Sequence, residues 1–409
     1  MPTNSVIGGS DYIVTGTDYI IGGTDYIITV TDYRISRHSY LFMPIQISFL
    51  VAGMHCSLYF VVRVKLWLSV VYLSDSLYFC ANYNTVCNMI QENFIKIYEG
   101  SFKKNWELPA LTDYSKGTTF SFADVAKEIA RIHILFEECQ IRRGDKIALI
   151  GKDSARWCIV YMAAVTYGAI IVPILQDFSP NDVHHIINHS ESVFLFVSDR
   201  IWDTLEEEMI EDVRGVFSLS DFRCLHQRDG ESIQKLLKGM DEKMAEKYPD
   251  GFGKDDIEYA ELDNDKVVLL NYTSGTTGFS KGVMLTGNNL AGNVMYGIEL
   301  GVLYRGEREL CFLPLAHAYS CAFNFLVPMA VGAHVYLLGK VPSPKILLKA
   351  FEEVKPNLIL TVPLILEKIY KKMTLPQLSK TTMKVALNIP LLDSRIYAQI
   401  RKKLVDAFG

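Results

Sequence analysis

The chain has 409 residues, 49% of them apolar and 21% charged, with a formal net charge of -5 at pH 7. That length allows two or three domains with a substantial core, and the balance is that of an ordinary globular protein. A mildly acidic chain lacks the basic surface that grips phosphate backbones, so nucleic acid is excluded as an expected partner.

Residues 1–88 do not resemble the rest of the chain. Ser10-Asp11-Tyr12-Ile13, Thr17-Asp18-Tyr19-Ile20, Thr24-Asp25-Tyr26-Ile27 and Thr31-Asp32-Tyr33-Arg34 recur every seven residues. Gly, Thr, Tyr and Ile dominate these units, which favours extended structure over a coiled coil with apolar a and d positions. Each unit is also too short to stack as a solenoid repeat. Met43 to Val62 is uncharged and followed by Arg63 and Lys65, long enough to span a bilayer but weakened by Gln46, Ser48, His55 and Ser57. A cleavable signal fits poorly, because a basic leader and small-residue cleavage site are not in place. A translated short tandem DNA repeat gives such a pattern, and Met89 offers a natural start. The expectation is therefore a spurious or fused extension over 1–88, which N-terminal mapping by mass spectrometry would check.

From Phe120 the pattern is regular. A helix follows Phe120-Ser121-Phe122-Ala123-Asp124, with Val125, Ile129, Ile132 and Phe136 on one face. Arg143-Gly144-Asp145 turns into the strand Lys146–Ile150. A helix through Trp157 to Tyr167 leads, past Gly168, to the strand Ala169–Pro173. Ser179-Pro180-Asn181-Asp182 begins another helix, with proline at an early helical position, and Ser192–Val197 is the next strand. Strands and helices alternate, and the strands are apolar on both faces. That predicts an α/β protein with parallel sheets flanked by helices. Glu231 to Lys266 is charge-rich and reads as a solvated helix and linker. Further units carry strands at Lys266–Tyr272, Glu309–Pro314, Ala333–Leu338 and Pro356–Pro363, and a helix over 394–408 ends at Gly409. The division expected is 89–265 as a first αβ subdomain and 266–409 as a second. Eight scattered cysteines form no CxxC pair and read as reduced structural thiols of a cytosolic protein.

The strand at 266–272 runs into Thr273-Ser274-Gly275-Thr276-Thr277-Gly278-Phe279-Ser280-Lys281-Gly282. Glycines let backbone N–H groups turn inward around a polyanion, hydroxyls add donors, and the lysine adds positive charge without fixed geometry. Such a loop is built for phosphate, although GxxxxGK[ST] does not fit, because Ser280 precedes Lys281 and Gly282 comes after it. Ser/Thr/Gly runs are more often plain loops; the apolar strand before this one and the lysine closing it favour the phosphate reading. His185 and His189 lie four apart on a helix, a zinc-ligand spacing, but with no HExxH glutamate and no third ligand they read as surface histidines.

Tyr272 to Gly278 followed by Lys281-Gly282-Val283 resembles the signature of the adenylate-forming superfamily. Leu313-Pro314-Leu315-Ala316-His317-Ala318-Tyr319 is similar to a segment of its long-chain acyl-CoA synthetases. Arg143-Gly144-Asp145-Lys146-Ile147 and Tyr167 to Pro173 resemble weaker family segments, so the likeness runs from about Met89 onward. One departure is Ser280, where the family usually has proline.

The resemblance implies the large N-terminal portion of the adenylate-forming fold and a two-step ligation. A fatty carboxylate would attack the α-phosphorus of ATP to give acyl-AMP and pyrophosphate, and the thiol of CoA would then displace AMP. It implies nucleotide binding by Thr273, Ser274, Gly275, Thr276, Thr277, Gly278 and Lys281, with Thr273 helping to hold Mg²⁺. His317, Ala318 and Tyr319 would border the acyl pocket; without the resemblance His317 reads as a packing histidine. Family members continue with a Tyr-Gly-x-Thr-Glu segment, a ribose-binding aspartate and a small C-terminal domain carrying a lysine. None of these occurs here, so the expectation is a fragment with no complete catalytic set and little turnover alone. The competing expectations are a ligase that loads a carrier protein, an amino-acid-activating domain, which the Leu-Pro-Leu-Ala-His segment disfavours, and a non-catalytic nucleotide-binding or membrane-associated protein. A cytoplasmic location is expected, and a fatty acyl substrate is compatible with peripheral membrane contact.

Overall fold

The computed structural model describes residues 12–13, 34–35, 48–50, 59–63, 92–210, 212–228, 230–273 and 280–373. The chain divides into two compact units, one of residues 87–342 and one combining 1–86 with 343–409.

The unit of residues 87–342 opens with α1 (Phe94–Asn105), started by the Asn93 side chain, which accepts from the backbone N–H groups of Ile95 and Lys96. A hairpin comes next, β1 (Pro109–Asp113) and β2 (Thr118–Ser121). Helix α2 (Phe122–Glu138) begins at a reciprocal cap in which the Ser121 hydroxyl and Asp124 satisfy each other's backbone N–H groups. Its Val125, Ile129, Ile132 and Phe136 are all buried, as their spacing requires. Then come β3 (Lys146–Ile150), α3 (Ala155–Tyr167), β4 (Ile170–Ile174), α4 (Pro180–His189) and β5 (Ser192–Val197). Gly168 ends α3 in the left-handed region at φ 92°, where its N–H reaches the carbonyls of Ala164 and Val165.

Strands β6 (Gly215–Ser218) and β7 (Cys224–Gln227) precede α5 (Ser232–Lys238) and α6 (Met240–Lys247). The charge-rich segment expected here is thus two short helices. They are tied to α2 by Arg131–Asp241 at 2.6 Å, Lys243–Glu138 at 2.9 Å and Lys247–Glu137 at 2.6 Å. Exposed pairs of this kind are screened by solvent and contribute little to stability. The unit continues with β8 (Val267–Thr273), β9 (Lys281–Thr286), α7 (Gly287–Glu299), β10 (Arg308–Cys311) and β11 (His334–Leu337).

Seven strands form one sheet in the order β7-β6-β5-β3-β4-β8-β9. Its interior pairs are parallel, and the β6–β7 and β8–β9 pairs at its two edges are antiparallel. In a second sheet β10-β11-β1-β2 lie side by side; β10–β11 and β11–β1 are parallel, β1–β2 antiparallel. The sheets are therefore mixed but mostly parallel, and their strands interleave in sequence. Helix α3 packs against β1, β3 and β4 and is buried nearly all round, from Trp157 to Thr166, as an apolar helix between layers must be. The Trp157 and Tyr161 rings stack at 5.6 Å, and the ring of Phe325 meets both edge-on.

The other unit contains α8 (Pro344–Val354), β12 (Leu358–Thr361) and α9 (Pro363–Met373). Strand Tyr59–Arg63 pairs antiparallel with β12 and with Ser48–Leu50, and Tyr12–Ile13 pairs with Arg34–Ile35. The expected helix over 394–408, most of the heptad repeat and most of the 43–62 stretch lie outside the described residues. No helix among the described residues is long and apolar enough to cross a membrane.

Candidate functional site

Strand β8 lies beside β4 and in parallel with it, and then pairs antiparallel with β9, so residues 274–280 join two strands of a hairpin. In this register Thr273 sits opposite Lys281 and Tyr272 opposite Gly282. The hairpin leaves the sheet at the carboxyl end of β8, and thus at the carboxyl ends of its parallel neighbours, the edge where open α/β sheets bind ligands. Thr273 and Lys281 are both exposed at the mouth. The other loop residues expected to hold nucleotide, Ser274, Gly275, Thr276, Thr277 and Gly278, lie outside the described residues.

The stem is anchored by an aromatic residue. The Tyr272 hydroxyl and His189 Nδ1 are 2.7 Å apart, their rings meet edge-on, and the His185 and His189 rings are 5.4 Å apart. Burial raises the pKa of Tyr272, so it stays a neutral phenol. His189 is exposed on one side and serves as the hydrogen-bond partner of the stem. Among the described residues no three His, Cys, Asp or Glu side chains are grouped to hold a metal ion.

Gly282 explains itself by contact. A Cβ there would lie 3.0 Å from Tyr272 Cζ and 3.2 Å from its hydroxyl oxygen. Gly282→Ala is therefore expected to destabilise the chain by about 1 kcal/mol through overpacking. Urea unfolding checks this, and a neutral or stabilised variant would contradict the tight approach.

The segment after β10 is held from three sides. The Leu315 N–H donates to Asp153 Oδ1 at 3.1 Å, Asn271 Nδ2 donates to the Ala316 carbonyl at 3.2 Å, and Ser320 Oγ donates to the Leu313 carbonyl at 2.9 Å. Asn271 belongs to β8, two residues before Thr273, so one strand carries the hairpin and also fixes the turn that presents His317. Asp153 lies between β3 and α3. Burial pushes its carboxyl from the ordinary 3.8 up to about 7, against the opposing effect of the Leu315 N–H.

His317 and Ala318 are exposed, whereas Tyr319 is buried with its ring 5.3 Å from that of Phe323. Although part of the imidazole meets solvent, lost hydration lowers the pKa of His317, and Asp177 after β4 pulls the other way. His317 is therefore neutral at pH 7. A six-residue π-helical stretch, Cys321–Leu326, continues from the short turn Ala318–Ser320. Among the described residues the buried thiols Cys158, Cys311 and Cys321 form no disulfide, and burial raises the pKa of each, which keeps them protonated and unreactive.

Reading the sequence missed Asp153, Asn271 and Asp177. Asn271 carried a signal, being a polar residue that interrupts the apolar run beginning at Val267. Asp153 and Asp177 each come after the carboxyl end of an apolar strand, where a charged side chain reaches a ligand edge.

The fold and this hairpin define a layered α/β domain with a glycine-rich loop at the carboxyl edge of a mostly parallel sheet. The profile of the AMP-binding enzyme family matches residues 99–405, and the chain belongs to that family. The chain is 29% identical over 255 residues to the long-chain-fatty-acid–CoA ligase FadD15 of Mycobacterium bovis, a match covering 62% of this chain and 40% of that protein. It is 27% identical over 267 residues to the 4-coumarate–CoA ligase CCL1 of Humulus lupulus, covering 64% and 46%. The chain thus spans less than half the length of these curated relatives. Among solved structures, a long-chain-fatty-acid–CoA ligase from Archaeoglobus fulgidus shares the fold with a TM-score of 0.52 at 19% identity, covering 65% of this chain and 50% of that one. The inhibitor-bound N-terminal domain of FACL13 from Mycobacterium tuberculosis gives 0.53 at 17% identity, covering 71% and 67%. The fold is that of the N-terminal portion of adenylate-forming enzymes.

Proposed function

We propose that this chain carries the triphosphate grip of an ATP-dependent acid–thiol ligase acting on a long-chain fatty acid. The observation behind this reading is the register that pairs Thr273 with Lys281 across the mouth of a glycine-rich hairpin. In the reaction proposed, a carboxylate oxygen bonds to the α-phosphorus of ATP and pyrophosphate leaves; the thiol sulfur of CoA then bonds to the acyl carbon and AMP leaves. Attack by one anion on another needs the phosphate charge held and neutralised. Lys281 with Ser274, Gly275, Thr276, Thr277 and Gly278 would bind the β- and γ-phosphates. Thr273 fits one ligand position of Mg²⁺ carried on the nucleotide, since Mg²⁺ takes oxygen ligands and keeps most of them from phosphates and water. That ion would supply further neutralisation of the phosphates.

His317, Ala318 and Tyr319 would border the acyl pocket. A neutral His317 would line it without drawing the substrate carboxylate into an ion pair away from the α-phosphorus. The fatty-acid choice rests on the Leu-Pro-Leu-Ala-His segment and on relatives named as fatty-acid ligases. An aryl acid is the second reading, favoured by the coumarate-ligase relative. Competition between hexadecylsulfamoyl adenosine and its cinnamoyl counterpart, both non-hydrolysable acyl-adenylate mimics, tests the choice. The fatty reading expects the alkyl mimic to bind at least about tenfold tighter; a preference for the aryl mimic would overturn it.

A further inference from the structure

A cavity of about 580 Å³ lies between α2, α3, the turn joining β6 to β7, and α5. That is within the size range of small-molecule sites. None of its lining residues belongs to the hairpin or to the Leu313–Ser320 segment, so it is separate from the nucleotide reading and does not depend on it. Its floor is apolar, formed over the buried side chains of Ile132, Leu135, Ile159 and Phe196.

The rim is polar and biased in sign. Arg131, Arg156, Arg223 and Lys238 face two carboxylates, Glu128 and Asp221. Two of these cations are engaged elsewhere, Arg223 with Asp199 and Asp221, and Arg131 with Asp241. Arg156 donates to the Ser220 carbonyl and lies 5.6 Å over the Phe222 ring, which leaves guanidinium N–H groups for a ligand. Lys238 has no carboxylate partner among the described residues. The opposing group, Glu128, has its pKa raised by burial despite Arg131 and Arg156 nearby; it makes no salt bridge among the described residues with either Arg156 or Lys238.

The turn itself is unusual. Phe222 sits at φ 63°, in the left-handed region, where a bulky aromatic residue is an outlier. Strain of this kind persists only when the surroundings fix it, and it gathers at ligand clamps. Here it places an aromatic ring beneath the half-buried guanidinium of Arg156.

We infer that this cavity is a second binding site, for an amphipathic organic anion. The apolar or aromatic body lies over the Leu135–Phe196 floor, and the carboxylate or sulfonate head lies between Arg156 and Lys238. An apolar floor supplies affinity for the body, and two cations outside any salt bridge among the described residues select the sign of the head.

The test uses 8-anilinonaphthalene-1-sulfonate, which has no carboxylate to activate, with uncharged N-phenyl-1-naphthylamine as control, each titrated by fluorescence into the full chain. The double variant Arg156→Met, Lys238→Met should weaken the sulfonate about tenfold and leave the neutral dye within about twofold. Gln234→Trp, on the cavity wall, should weaken both dyes at least about tenfold; Leu237→Trp replaces it if circular dichroism shows that Gln234→Trp does not fold. Unchanged sulfonate affinity in the charge variant, or equal loss of both dyes there, would overturn the site. So would a blocked cavity that binds both dyes as wild type does.

Discussion

Asp153→Ala is expected to destabilise the chain by about 1–3 kcal/mol, because it leaves the Leu315 N–H without its acceptor in a partly buried turn. Asp153→Asn keeps an oxygen for that N–H and is expected to behave differently. The folded chain holds the Asp153 carboxyl near pH 7, whereas an unfolded aspartate titrates near 4. A carboxyl with a raised folded pKa favours the native state while it is protonated. That contribution is full below about pH 4 and is lost as pH rises through about 7. Wild type should therefore lose on the order of 1–3 kcal/mol between pH 5 and pH 8 from this group, a loss that Asp153→Asn lacks. Urea unfolding of wild type, Asp153→Ala and Asp153→Asn at both pH values reads the difference. Parallel pH dependences for wild type and Asp153→Asn would contradict the burial assigned to Asp153.

Asn271→Ala acts on the same turn from the opposite side. The variant removes the donor to the Ala316 carbonyl, at an expected cost of about 1–3 kcal/mol if that oxygen stays buried. The consequence beyond stability concerns His317, whose pKa is lowered because its surroundings exclude water. A loosened turn rehydrates the imidazole, so its pKa should rise toward 6.5 in Asn271→Ala, followed by NMR titration of the His317 ring protons. A His317 pKa unchanged in a folded Asn271→Ala variant would contradict the positioning role of Asn271. The two clamps share one short turn, and a cycle of Asp153→Ala and Asn271→Ala should therefore be non-additive by at least about 0.5 kcal/mol.

The run from α2 to β5 was legible because each strand is apolar on both faces and each helix carries its own punctuation. Ser121 and Ser179 begin two of these helices, and Gly168 ends another. The β1–β2 hairpin was not legible. Its pairing with β11 joins Leu111 to Val335, and no local pattern announces a partner so far along the chain. In sequence, strand β9 reads as the tail of the loop; it is an edge strand with Met284 68% exposed, so it lacks the apolar run that marks a buried strand. That antiparallel edge and the one at β7 make the sheet mixed where the strand pattern predicts a parallel one. At the site, residue chemistry alone marked the loop and His317. The clamp that joins them needs Asn271 beside Ala316 and Asp153 beside Leu315, contacts across 45 and 162 residues that only the fold creates.

The central claim is that the hairpin whose stem ends at Thr273 and Lys281 grips the triphosphate of ATP. Calorimetric titration of MgATP into the full chain and its Lys281→Ala variant tests it most directly. Lys281 is exposed, so thermal unfolding should be the same in both. Wild type should bind MgATP, and Lys281→Ala should bind it at least about tenfold more weakly, since a charge-assisted contact to phosphate is lost. Failure of wild type to bind, or equal affinities in the two proteins, would contradict the assignment.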